Sequence, residues 1–131
     1  MIFIDSNVPM YLVGAPHPNR VAALAALEQI IRRGERMVTS AEVLQEILNR
    51  YTRIHRPDAI QPALDALLGL ADEVFPIETD DVHGAHAVLR SAPQISARDA
   101  LHVAVMQRRE VPRILSYDRG FDVIATIERV S

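Results

Sequence analysis

Four carboxylates, far apart in this chain of 131 residues, each follow an apolar run or open a segment of helical spacing. Asp5 ends the apolar run of residues 1–4. Glu46 lies on the segment begun by Ser40, Asp99 stands three residues after Ser96, and Asp118 follows the run R-I-L-S, with Asp122 one turn further on. Each has a plain structural explanation. Asp5 can cap a helix, Ser96 to Asp99 reads as a capping box, Glu46 is placed for an ion pair with Arg50, and Asp118 suits a turn. Gathered at one place, however, they repel, each close pair costing about 2–4 kcal/mol at an effective dielectric near 20. A hard divalent cation with oxygen ligands is the usual agent that neutralises such a cluster. A pocket of three or four carboxylates holding one or two Mg²⁺ ions suits phosphodiester hydrolysis.

The elements that must position them follow from the hydrophobic pattern. Short apolar runs at 1–4, 37–39, 74–77, 113–116 and 123–127 read as strands. Between them, segments 19–34, 40–54, 59–71, 79–90 and 96–109 read as helices, Ser40, Thr79 and Ser96 opening the last two and the second. In the first of these the apolar positions are Val21, Leu24, Leu27, Ile30 and Ile31; in the last they are Ala97, Ala100, Leu101, Ala104 and Val105. Strands alternating with longer helices predict an α/β fold, a three-layer α/β/α sandwich on a mainly parallel sheet, with residues 1–131 forming one domain. In such sheets a site forms beyond the carboxyl ends of the strands, where the acids are expected.

Composition narrows the function further. Hydrophobic residues make up 49% and charged residues 24%, the balance of a folded soluble chain. There is no cysteine, which excludes thiolate chemistry and sulfur-ligated zinc and agrees with a cytoplasmic location. No apolar run is long enough to span a membrane, and MIFIDSN lacks the basic start of a signal peptide. The net charge of −3 makes the protein as a whole no magnet for nucleic acid. All fourteen basic residues are arginine, as a genome rich in G and C would give. Without lysine there is no P-loop, no Schiff base and no receiver-type phosphoacceptor site. A haloacid-dehalogenase-type phosphatase is excluded twice, by the missing lysine and by D-S-N in place of D-x-D.

The segments IFIDSN, TSAEVLQE, SARDALHVA and ILSYDRGFD resemble, in order and over nearly the whole chain, the four acidic motifs of PIN-domain ribonucleases, and more specifically of VapC-type toxins from toxin–antitoxin pairs. The resemblance implies an endoribonuclease dependent on Mg²⁺ or Mn²⁺. Its catalytic acids would be Asp5, Glu46, Asp99 and Asp118, with Asp5 and Asp99 as principal metal ligands. Asn7 and Ser116 would support them, and Asp122 is an optional further acid. Glu42 shares the helical face of Glu46, but spacing from Ser40 favours Glu46. The resemblance also implies an RNA substrate, a cognate antitoxin protein as partner and a homodimer. A housekeeping RNA-processing nuclease and a catalytically silent scaffold acting as a binding module are the competing readings.

Other residues carry less. Arg50, Arg53 and Arg56 are spaced three apart and offer either a solvated face or a basic rail for RNA phosphates. Arg98, directly before Asp99, is placed to pair with an acid of the metal-free site. His102 reads as a packing residue, and His83 and His86 as surface residues without a third metal ligand. Aromatic residues are only 5%, so stacking on single-stranded RNA bases is expected to be minor, with Tyr11 and Tyr117 the nearest candidates.

Overall fold

The computed structural model describes residues 1–131. Five parallel strands, β1 (Ile2–Ile4), β2 (Met37–Ser40), β3 (Glu73–Phe75), β4 (Arg113–Leu115) and β5 (Glu128–Val130), form one sheet in the order β3-β2-β1-β4-β5. The helices are α1 (Asn7–Val13), α2 (Pro18–Arg32), α3 (Ala41–Arg53), α4 (Ile60–Leu70), α5 (Thr79–Ser91) and α6 (Ala97–Arg108). The chain steps outward from β1 to β2 to β3 and then returns across the sheet to β4. Right-handed crossovers therefore put α1 to α4 on one face and α5 with α6 on the other. The packing agrees: α1 lies against α2 and α4, α3 against α4, and α5 against α6. This is the expected α/β/α sandwich.

Ile2, Phe3, Ile4, Val38, Ile114 and Leu115 are all fully buried, as central parallel strands covered on both faces must be. Helix ends follow local chemistry. His17 caps α2, its Nδ1 accepting from the Asn19 N–H at 3.0 Å, with Pro18 in the first helical position. Gly34, at φ +65°, ends that segment in the left-handed region. The Ser40 hydroxyl accepts from the Val43 N–H at 3.4 Å to open α3. On the far face, the buried Asp81 carboxylate of α5 takes two hydrogen bonds from Arg108 of α6, at 2.7 and 3.0 Å.

Three sequence expectations are corrected. Residues 123–127 are not a strand. The Ile124 and Ile127 N–H groups make local turn bonds to the carbonyls of Phe121 and Ile124, so their burial is that of turn residues, and β5 begins only at Glu128. The third strand runs over Glu73–Phe75 rather than 74–77, because Pro76 has no N–H for the ladder. On α2 the inward face is Ala23, Leu27 and Ile30, whereas Val21, Leu24 and Ile31 are 72%, 52% and 60% exposed.

Candidate active site

The sheet order reverses direction between β1 and β4, which is where a parallel α/β sheet leaves a crevice. Ile4 pairs with Leu115, so the next residues, Asp5 and Ser116, emerge side by side. Both are buried. The Ser116 hydroxyl donates to Asp5 Oδ2 at 2.6 Å and accepts from the Asp118 N–H at 3.0 Å. Asp5 Oδ1 accepts from the Ser6 N–H at 2.8 Å. Asn7 spans the two strand ends: its Nδ2 donates to Ser116 Oγ at 3.3 Å and its Oδ1 accepts from the Tyr117 N–H at 3.4 Å. Asp5 is thus a fixed acid, not a helix cap. Burial pushes its carboxyl above the usual range, although the His102 charge and the Ser116 hydroxyl work the other way.

Glu46 is brought in by α3, whose inner face buries Val43, Ile47 and Tyr51. Its Oε1 lies 3.0 Å from Nε2 of His102 on α6, and that same nitrogen is 3.9 Å from Asp5 Oδ1. Burial disfavours the Glu46 anion and the imidazolium alike. The contact between them overrides it in both: Glu46 is held below its ordinary value and His102 above. Arg98 brings a further positive charge, 3.6 Å from Glu42 and 3.8 Å from Glu46. Glu42 therefore faces Arg98, whereas Glu46 faces the Asp5 side.

Asp99 opens α6. Its backbone N–H donates to Ser96 Oγ at 3.1 Å, but its carboxylate returns no bond to Ser96, so only half of the expected capping box forms. Instead the carboxylate is pushed up to about 7 by burial, then by the charges of Asp118 and Asp5. Asp118 caps the following turn, with Oδ1 accepting from the Gly120 N–H at 2.8 Å. Its cap role and its place beside Asp99 coexist. Asp122 turns elsewhere: Arg129 grips its two oxygens at 2.8 and 3.1 Å.

The donor set fits a hard divalent cation. Carboxylates from four separate segments lie near enough to act on one another's charge: Asp5 and Glu46 interact, and Asp99 is raised by burial first and then by the charges of Asp118 and Asp5. Ligand atoms of Asp5, Glu46 and His102 all lie within 4.8 Å of one another. His102 is the member that sequence reasoning set aside as packing. Only its place in D-A-L-H, three residues and nearly one turn after Asp99, pointed to the site.

Beside the acids opens a cavity of about 550 Å³ whose lining includes Asn7, Tyr11, His17, Glu46, Arg50 and Arg98. Of the anticipated basic rail only Arg50 reaches it. Arg53 is exposed and does not line it, and Arg56 pairs with Asp58 at 3.1 Å. His83 and His86 are exposed on α5. No helix is long and apolar enough to cross a membrane.

A PIN domain model matches residues 2–127. Ribonuclease VapC13 of Mycobacterium tuberculosis is 53% identical over 131 residues, all of both chains. Ribonuclease VapC23 of the same species is 43% identical over 118 residues, covering 90% of this chain and 93% of that one. Among solved structures, M. tuberculosis VapC20, described as a sarcin–ricin-loop-cleaving toxin, superposes with a TM-score of 0.77 at 21% identity, covering 95% of each chain. VapBC2 of Rickettsia felis, bound to a fragment of promoter DNA, gives 0.75 at 15% identity over 99% of this chain and 98% of that one. With four acids set at the switch point of the sheet and full-length relatives of this similarity, the chain belongs to the PIN-domain family, among its VapC ribonucleases.

Proposed function

We propose that the protein is a divalent-metal-dependent endoribonuclease acting as the toxin of a toxin–antitoxin pair. The observation that carries this reading is the gathering of acids at the β1/β4 strand ends. Asp5 stands beside Ser116, and ligand atoms of Asp5, Glu46 and His102 lie within 4.8 Å of one another. Asp99 is near enough to Asp118 and Asp5 for burial and their charges to raise its carboxyl. Such mutual repulsion is what a bound cation relieves. Asp5 and Asp99 would hold Mg²⁺ or Mn²⁺, with Asp118 beside Asp99. When bound, the ion supplies positive charge to the phosphodiester and to the attacking water.

The chain's own groups do the rest. Ser116 and Asn7 fix Asp5, so its oxygens are preorganised. Glu46, ionised and oriented by His102, is the acid free to orient a water against the phosphorus. Arg50 at the cavity rim offers a guanidinium to a flanking phosphate. The names of the full-length relatives support RNA as substrate. The toxin–antitoxin assemblies among the structural neighbours support an antitoxin as partner. A homodimer would complete the assembly.

Single-stranded RNA incubated with the protein and Mg²⁺ or Mn²⁺ should be cut internally, and excess chelator should stop it. Asp5→Asn and Asp99→Asn should remove essentially all cleavage, because an amide is no anionic ligand. Undiminished cleavage in chelator would refute the metal dependence. A neighbouring gene product that neither binds nor inhibits the protein would turn the reading to an RNA-processing nuclease.

A further inference from the structure

We propose that the cavity beside the acids is a subsite for one unpaired RNA base adjoining the phosphodiester that is cut; this deepens the ribonuclease reading and rests on it. Asn7 and Glu46 line the cavity and also belong to the acidic cluster, so an occupant lies next to the reacting centre. Its volume, about 550 Å³, falls in the range of pockets that enclose a small ligand.

One wall is aromatic. His17 stacks on Tyr11 with ring centres 4.9 Å apart and planes at 28°. Tyr117, which does not line the cavity itself, meets Tyr11 edge-on at 5.5 Å and 84°. Tyr117 in turn donates its N–H to Asn7, which ties this wall to the strand ends carrying Asp5 and Ser116. Gly14 keeps the loop close, since a Cβ there would meet the Met10 carbonyl oxygen at 2.8 Å. Tyr51, buried on α3, lines the cavity from the other side.

The rim chooses the occupant. Arg50 forms no ion pair within the chain, whereas Arg98, which also lines the cavity, is paired with Glu42 and Glu46. An aromatic wall with the unpaired Arg50 guanidinium beside it matches a nucleotide, with the base against the rings and its phosphate at Arg50. An apolar peptide segment would leave Arg50 without a counter-charge.

The test uses single-stranded RNA oligonucleotides that the wild type binds, each carrying one abasic ribonucleotide at successive positions, with any cleavage point mapped separately in Mg²⁺ or Mn²⁺. Binding is read by fluorescence anisotropy in chelator, independently of cleavage. Loss of one base at a single flanking position should weaken wild-type binding about tenfold, the scale of a lost base–aromatic stack. In Tyr11→Leu the intact RNA should bind about tenfold more weakly, and the penalty for the missing base should vanish. His17→Asn, which keeps an acceptor for the α2 cap while deleting the ring, should reduce that penalty even if Tyr11→Leu folds poorly. A wild type indifferent to base removal at every position would overturn the subsite and leave the cavity to a protein segment. So would an abasic penalty that persists undiminished in both variants. RNA that binds with this base dependence but is never cut with Mg²⁺ or Mn²⁺ would instead refute the nuclease reading while supporting the subsite.

Discussion

Nε2 of His102 stands 3.0 Å from Glu46 and 3.9 Å from Asp5, so one fully buried imidazole serves an acid of helix α3 and an acid at the end of β1. When protonated, a state that burial opposes and contact with Glu46 and Asp5 favours, this imidazole performs part of the neutralising task that a divalent ion would perform. His102→Ala should therefore cost about 3–5 kcal/mol in chelator, the usual result of removing one partner from a buried charge pair. His102→Gln, which retains a donor for Glu46, should cost less. Urea denaturation of the three proteins measures both, and an alanine variant as stable as wild type would contradict the assignment.

The same charges set the pH dependence of the metal-free fold. Asp99 has its folded value raised from 3.8 to about 7, so between these values the folded state holds a proton that the unfolded state has lost. Stability from that source falls as pH rises from about 4 to about 7. His102, also raised, contributes stability present below its ordinary value and lost as pH climbs through the folded one. Glu46 is depressed and works in reverse, its contribution disappearing only in stronger acid as pH drops through its folded value. Melts in chelator should therefore show the midpoint declining from pH 5 to pH 8. Mg²⁺ should flatten the decline, because it competes with the proton. A midpoint that rises over this interval would contradict the buried cluster.

Much of this site was legible because strand ends and caps are local signals. The run IFI followed by Asp5, Ser40 before α3 and Ser96 before α6 each announce their position in a few residues, and parallel topology then gathers them. His102 was not legible in this way. Its helix buries His102, Val103, Ala104, Val105 and Met106 in succession, so no single face stands out and a buried histidine passes for packing. Residues 123–127 misled for a related reason. Burial of Ile124 and Ile127 looks the same in sequence whether a ladder or a turn takes up the backbone N–H groups. On α2 the small Ala23 faces inward and larger Val21 outward, a choice made by packing that periodicity does not contain.

Asp118 and Asp122 are four residues apart in one short segment, and the structure gives them different neighbours. Asp122 is occupied by Arg129, which also donates to the Ser116 carbonyl at 3.1 Å. Asp122→Asn should leave RNA cleavage within about threefold of wild type, because Asp122 is exposed and its charge is taken up by Arg129 rather than by the site. Asp118→Asn should lower cleavage by at least ten times that margin, because it removes an anion beside Asp99. Rates measured side by side decide between them, and the reverse order would make Asp122 the fourth acid.

Asp99→Asn separates a built metal site from a set of incidental caps, provided that stability is measured as well as activity. The Asp99 N–H bond to Ser96 Oγ belongs to the backbone and survives the substitution. The carboxylate itself makes no capping bond, so little is lost with it. What disappears is its repulsion with Asp118 and Asp5, which exists only where Asp99 is ionised. At pH 5 the variant should therefore match wild type in chelator. At pH 8 it should be more stable by about 1 kcal/mol, the partly exposed position reducing the full Coulomb figure by solvent screening. Added Mg²⁺ should raise the wild-type melting point by mass action and leave the variant nearly unmoved. An incidental cap predicts the opposite pattern: a loss of about 0.5–1 kcal/mol at both pH values and no response to Mg²⁺ in either protein. Four melts with and without chelator distinguish the two, and a destabilised variant beside a wild type indifferent to Mg²⁺ would remove the physical basis for the metal site.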